Sequence, residues 1–134
     1  MRTLFPGLRV SEVDRSQAFY TALGYVEAGR VVAGDATLVM LRFPGESEVT
    51  LELVHRPAEP VRSGGIDHLA IQVDDLVAGR AAAVAAGLNP GEIEFPGGPD
   101  GPRISRLADP DGNPVELVEW PAGHPTGMTD ADFR

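Results

Sequence analysis

Ile66-Asp67-His68-Leu69-Ala70-Ile71-Gln72-Val73 alternates in mid-chain between apolar and polar side chains. Strand side chains point to opposite faces with a period of two, so Leu69, Ile71 and Val73 face a core and His68, Ala70 and Gln72 face away from it. The same pattern occurs a second time. Leu8-Arg9-Val10-Ser11-Glu12-Val13 matches Ile71-Gln72-Val73-Asp74-Asp75-Leu76 at an offset of 63 residues. Gly24 and Gly87, each standing where a helix should end, keep that offset, and Leu51-Glu52-Leu53-Val54 returns as Val115-Glu116-Leu117-Val118 at an offset of 64. Three landmarks at one spacing define an internal repeat, each copy a βαβββ unit.

The first copy reads as a strand over 4–10, then a helix from a capping box at Ser11-Glu12-Val13-Asp14 to about residue 23. Strands follow over 25–32, 37–43 and 49–54, with turns at Gly34-Asp35 and Pro44-Gly45-Glu46-Ser47. In the second copy the strand over 66–73 precedes an alanine-rich helix from Asp74-Asp75 to residue 86. A weak strand over 88–95, interrupted by Pro90 and Gly91, and strands over 103–108 and 114–120 complete it. Asp109-Pro110-Asp111-Gly112-Asn113 has the residues of a tight hairpin turn. The expected division is a first module over 1–56, a linker over 57–65 carrying Pro57, Pro60, Gly64 and Gly65, a second module over 66–120, and a polar tail over 121–134. The fold class is α+β, two tandem βαβββ modules forming a half-open mixed sheet cup.

Composition narrows the function. Among 134 residues, 20 acidic side chains against 11 basic ones give a net charge of −9. That balance argues against nucleic-acid binding, which needs cations to neutralise phosphates, and suits a soluble enzyme or a pocket for a cationic ligand. Without cysteine there are no disulfides and no thiolate metal or thiol chemistry. No apolar run approaches the ~20 residues of a membrane helix, and Met1-Arg2-Thr3-Leu4-Phe5-Pro6 lacks a signal-peptide stretch, so a cytoplasmic location is the default expectation. The glycine-rich segment at 97–102 lacks the Lys and Ser/Thr of a phosphate loop and reads as a rim.

The repeat carries a chemical expectation. Glu52 and Glu116 are equivalent carboxylates in otherwise apolar strands, and an acid there must meet water, a partner or a metal. The equivalent of His68 is Phe5. Two modules related by a pseudo-twofold axis bring positions 5, 52, 68 and 116 to one cup. His55 closes a strand beside the linker and reads as a surface residue. His124, in the tail, is a candidate substitute ligand.

The motifs Phe5-Pro6-Gly7-Leu8-Arg9-Val10, Leu51-Glu52-Leu53-Val54-His55, Asp67-His68-Leu69-Ala70 and Asp109-Pro110-Asp111-Gly112-Asn113-Pro114-Val115-Glu116-Leu117 resemble the vicinal oxygen chelate superfamily, and within it glyoxalase I, over about residues 1–120. The resemblance implies a divalent metal (Zn, Ni, Co, Mn or Fe) at Glu52, His68 and Glu116, with Phe5 where the family has His or Gln. It implies a substrate-binding role for Arg9, which matches an arginine at the thiol end of the substrate. Phe5 and Arg56 are substrate-binding as well, Phe5 changing which substrate face is open and Arg56 replacing a family asparagine. It also implies a homodimer with sites at the subunit interface. The activity expected is metal-dependent lyase or isomerase chemistry on a hemithioacetal or related small vicinal-oxygen substrate, through an enediolate. Glu116, or Glu52, is the base that moves the proton between carbons. A non-catalytic binder of the bleomycin-resistance type is the alternative. A ring-cleaving dioxygenase ranks last, because Phe5 occupies the place of one of its two histidines.

Overall fold

A computed structural model describes residues 3–62, 66–124, 127 and 133. Gly64 and Gly65 of the expected linker and most of the tail beyond 124 lie outside the described residues. The chain forms two compact units, residues 1–65 with 108–113, and residues 66–107 with 114–134.

The first unit runs β1 (Gly7–Arg9), α1 (Val13–Ala22), β2 (Val26–Ala33), β3 (Ala36–Arg42) and β4 (Leu51–His55), in the sheet order β1-β4-β3-β2. β1 and β4 are parallel, joined through α1 and the β2–β3 hairpin, and the other pairs are antiparallel. Leu8, Val10, Val39, Leu41, Leu51 and Leu53 are buried, α1 packs against β4, and within α1 Phe19 and Tyr20 make an edge-to-face pair at 5.0 Å. The aromatic contacts continue from Tyr20 to Tyr25 and from Tyr25 to Phe43. Burial, with Glu46 nearby, pushes the Tyr25 hydroxyl up to about 12.

The second unit runs β5 (Leu69–Gln72), α2 (Leu76–Ala85), β6 (Arg103–Ala108) and β7 (Pro114–Glu119), in the order β5-β7-β6. Its β5–β7 pair is parallel, and the registers show how deep the repeat runs. Gly7 faces Glu52 and Leu8 faces Leu53 in the first sheet, while Ala70 faces Glu116 and Ile71 faces Leu117 in the second. Both helices also end alike. Gly24 and Gly87 adopt φ of 107° and 83°, a left-handed conformation that glycine takes without strain. Tyr25 N–H then returns to Tyr20 O and Leu88 N–H to Ala83 O, satisfying carbonyls the helix leaves open.

Three local expectations are corrected. Ser11 does not cap α1. The N-cap residue is Glu12, without a side-chain bond, and the Ser11 N–H donates to Asp111 Oδ2 instead. The strand over 88–95 is reduced to one antiparallel bridge, Glu94 with Ile104. Pro90 has no N–H to give a ladder, and pairing there is limited to isolated bonds such as Gly91 N–H to Arg106 O. The strands over 4–10 and 66–73 shorten to Gly7–Arg9 and Leu69–Gln72.

The Asp109–Asn113 segment is more than a hairpin turn, since it packs into the first unit. Asp109 is buried, and its carboxylate accepts from the Tyr20 hydroxyl at 2.8 Å, the Asp111 and Asn113 N–H groups, and the Asn113 amide. Asp111 Oδ2 takes the hydroxyl of buried Ser16. Burial, reinforced by the Asp109 carboxylate, raises the Tyr20 hydroxyl pKa far above its ordinary value.

The start of α2 is held twice. Asp75 accepts from Ala78 N–H at 3.0 Å, and Glu119 accepts from Leu76 N–H while pairing with Arg103 at 2.6 Å. The Leu76 N–H first, and Arg103 next, hold the Glu119 carboxyl below its usual range. A depressed folded-state pKa stabilises the fold above the unfolded value and loses that contribution as pH falls through it. Glu119→Gln is therefore expected to destabilise the fold by about 1 kcal/mol at pH 7. The difference from wild type should shrink below pH 4 in urea titrations, and a constant difference down to pH 3 would contradict the assignment. Among the described residues no helix is long and apolar enough to cross a membrane.

Candidate functional site

The outward faces of β5, β6 and β7 line a cavity of about 530 Å3. Strand alternation delivers its walls: His68, Ala70 and Gln72 from β5 and the residue before it, Pro102, Ile104 and Arg106 from β6 and its approach, and Glu116, Val118 and Trp120 from β7 and its exit. Pro96 and Gly127 complete the lining, and Gly127 N–H donates to the Gln72 side-chain oxygen. The walls are mostly apolar, with the charged groups gathered at one end.

There a row of ionisable side chains forms. Asp67 Oδ2 lies 2.7 Å from His68 Nδ1, and His68 Nε2 lies 3.5 Å from Glu116 Oε2. Glu116 Oε1 accepts from Arg106 Nε at 2.9 Å, and Arg106 Nη1 pairs with Glu94 Oε2. Glu94 and then Glu116 raise the pKa of the Arg106 guanidinium. Glu116 is the most enclosed of the three side chains, 14% exposed against 38% for His68 and 48% for Arg106. The two ring nitrogens of His68 thus face one carboxylate each, Nδ1 toward Asp67 and Nε2 toward Glu116.

Arg106 and Glu94 escaped the sequence reading. A signal for Arg106 existed. Asp109 N–H bonds to Asn113 O, and counting three residues outward on each side leads to Arg106 and Glu116. Glu94 gave no signal, because its weak strand, interrupted by Pro90 and Gly91, offers no register against 103–108.

The other expected residues fall as follows. Glu52 lies on β4 of the first unit, its Oε2 only 3.0 Å from where a Cβ on Gly7 would stand. Phe5, half-buried, precedes Gly7 by two residues, as His68 precedes Ala70. Arg9 is held by Glu59, with Nη1 on Oε2 at 3.0 Å, beside a small cleft shared with Pro60 and Arg62. Arg56 is exposed in the turn after β4, and His55 is half-buried at the end of that strand. The His124 ring stacks on Trp120 at 4.4 Å.

The donor set fits a divalent metal along one edge. Nitrogen and carboxylate atoms each about 2.0–2.2 Å from a metal stand roughly 3–3.5 Å apart, the separation of His68 Nε2 and Glu116 Oε2. Asp67 supplies the backing carboxylate that ligating histidines commonly have. Among the described residues, no group of three or more His, Asp or Glu side chains is assembled to hold an ion.

Residues 3–117 match the family model of the Glyoxalase/Bleomycin resistance protein/Dioxygenase superfamily. The chain belongs to this superfamily. It is 30% identical over 133 aligned residues, 92% of its length and 94% of the relative's, to a probable lactoylglutathione lyase of Vibrio cholerae serotype O1. Among solved structures it resembles the trypanothione-dependent glyoxalase I of Leishmania major, with a TM-score of 0.71 and 27% identity over 89% of this chain and 86% of that one. TnmS3, an antibiotic-binding protein from Streptomyces sp. CB03234, shares the fold with a TM-score of 0.72 at 19% identity, covering 90% of this chain and 96% of that one.

Proposed function

We propose that the chain is a glyoxalase-like lyase or isomerase acting on a small vicinal-oxygen substrate, such as the hemithioacetal of an α-oxoaldehyde and a thiol. The observation that carries this reading is the His68–Glu116 pair, 3.5 Å apart and backed by Asp67 at the charged end of an otherwise apolar cavity. The likeness to a probable lactoylglutathione lyase supports it. A divalent ion (Zn, Ni, Co, Mn or Fe) would be held by His68 Nε2 and Glu116 Oε2. Glu52 is the third proposed donor, on the ground of its repeat equivalence to Glu116. When bound, the metal supplies Lewis-acid stabilisation of the negative charge that develops on the substrate oxygens.

The chain's own residues do the rest. Asp67 meets His68 Nδ1, which leaves Nε2 facing Glu116 and the cavity. Arg106 holds Glu116 Oε1, and the Glu116 carboxylate is the proposed carrier of a proton from the substrate carbon to the neighbouring one, a role its Oε2 can fill only while it is not holding the ion. Glu52 is the alternative carrier of that proton. The apolar walls, Ile104 and Val118 among them, keep water from the reacting carbons. Phe5, Arg9 and Arg56 are proposed to contact the substrate. Modules over 1–56 and 66–120, a homodimer with interfacial sites and a cytoplasmic location complete the reading.

The test is turnover. Purified protein supplied with metal and incubated with methylglyoxal and glutathione, or another small thiol, is expected to deplete the hemithioacetal. No depletion above the protein-free rate, with each metal supplied in turn, would rule the activity out.

One observation favours a second reading, ligand sequestration without catalysis. Glu116 is already paired with Arg106, which limits it as a donor. Trp120, the single tryptophan, lines the cavity and reports binding by its fluorescence. Quenching by ligands in metal-free protein, without turnover, would select this alternative.

A further inference from the structure

We propose that Arg106 and a divalent cation compete for the Glu116 carboxylate, so that Arg106 sets how tightly the second unit holds a metal. The inference rests on the reading of His68 and Glu116 as metal donors.

The geometry is that of a side chain with two partners. Arg106 Nε donates to Glu116 Oε1 at 2.9 Å while Nη1 pairs with Glu94. Glu116 is 14% exposed and Arg106 48%, so water screens the guanidinium charge only in part where it meets the carboxylate. A cation arriving between Glu116 Oε2 and His68 Nε2 finds a carboxylate whose charge is shared with Arg106 and a permanent positive charge within one side chain's reach. Both effects weaken cation binding. Glu94 is 51% exposed and gives Arg106 a place to remain paired once Glu116 turns to a metal. The single bridge between Glu94 and Ile104, all that remains of the expected strand over 88–95, holds Glu94 beside Arg106.

The experiment is titration of metal-free protein with Co2+, followed by its visible absorption bands and by competition with a chelator. Arg106→Met is expected to lower the Kd for Co2+ at least tenfold, equivalent to about 1.4 kcal/mol. Arg106→Gln should move it the same way. Glu94→Gln, which leaves Arg106 only Glu116, should raise the Kd about threefold. Adding Glu116→Gln to Arg106→Met should erase the gain. Melting curves of each variant report on folding. A Kd in both Arg106→Met and Arg106→Gln equal to or weaker than wild type would overturn the proposal, as would a gain that survives Glu116→Gln. Methylglyoxal–glutathione turnover, measured separately at saturating Co2+, bears on the proposed activity. Its absence would count against the lyase while leaving a tenfold gain in affinity standing.

Discussion

Asp109→Ala is expected to lower the melting temperature by roughly 10 °C, a loss of about 3 kcal/mol. Asp109 is 4% exposed and receives four hydrogen bonds, two from backbone N–H groups, one from the Asn113 amide and one from the Tyr20 hydroxyl. Alanine strands all four donors, and the Tyr20 hydroxyl, on a residue with no exposed surface, has nowhere else to turn. Asp109→Asn should lose about half as much, since an amide oxygen still accepts from the two backbone groups. Tyr20→Phe alone should cost about 1 kcal/mol. In the Asp109→Ala background it should cost nothing or stabilise slightly, because the stranded hydroxyl is gone. Urea denaturation of the four proteins closes the double-mutant cycle. A coupling below about 0.5 kcal/mol would show that the pair is not the anchor described. The same pair predicts alkaline sensitivity. The Tyr20 pKa is raised in the folded state, so its contribution is complete below the unfolded value near 10 and falls as pH climbs above it. Tyr20→Phe should therefore narrow its deficit against wild type at alkaline pH.

The second large effect concerns the charged end of the cavity. If the proposed activity holds, Glu116→Gln should reduce kcat about 10³-fold with little change in melting temperature. Glutamine keeps an oxygen for Arg106 Nε but no longer carries a proton from carbon. His68→Ala should reduce both activity and bound metal by 10²-fold or more, because Asp67 and Glu116 lose the ring between them. Glu52→Gln separates two roles. A fall in metal content makes Glu52 a donor, whereas a fall in kcat at unchanged metal content makes it the base. Full activity in Glu116→Gln would reject the role assigned to that carboxylate.

The fold was legible where it depends on periodicity. The offset of 63 and 64 residues returns as matched strand registers, and the two glycines end the two helices alike. His68 and Glu116 were legible as a pair because the parallel register Ala70–Glu116 sets the histidine two residues before Glu116's partner. What escaped were partners set by the path of the chain through space. Tyr20 and Asp109 are 89 residues apart, and no local rule joins a helix tyrosine to a turn aspartate. Ser11 failed as a cap because α1 begins at Val13, which makes Glu12 the N-cap, and the Ser11 N–H is bonded to Asp111, 100 residues away. Arg106 lay within the expected strand over 103–108, but its pairing with Glu116 across the hairpin was not drawn.

The loop between β6 and β7 bears on how such a chain is inherited and engineered. A hairpin tip is ordinarily where insertions are harmless and where homologous halves are spliced. Here the tip belongs to the first unit, with Asp109 buried and its carboxylate and that of Asp111 bonded to Tyr20 and Ser16. A fragment ending at residue 65 would keep every strand of the first sheet and still lack that piece. The two repeats therefore do not travel as interchangeable cassettes. A chimera that takes its first half from one relative and its second from another must match helix α1 of the one to the Asp109–Asn113 loop of the other, or carry an unsatisfied hydroxyl in its core.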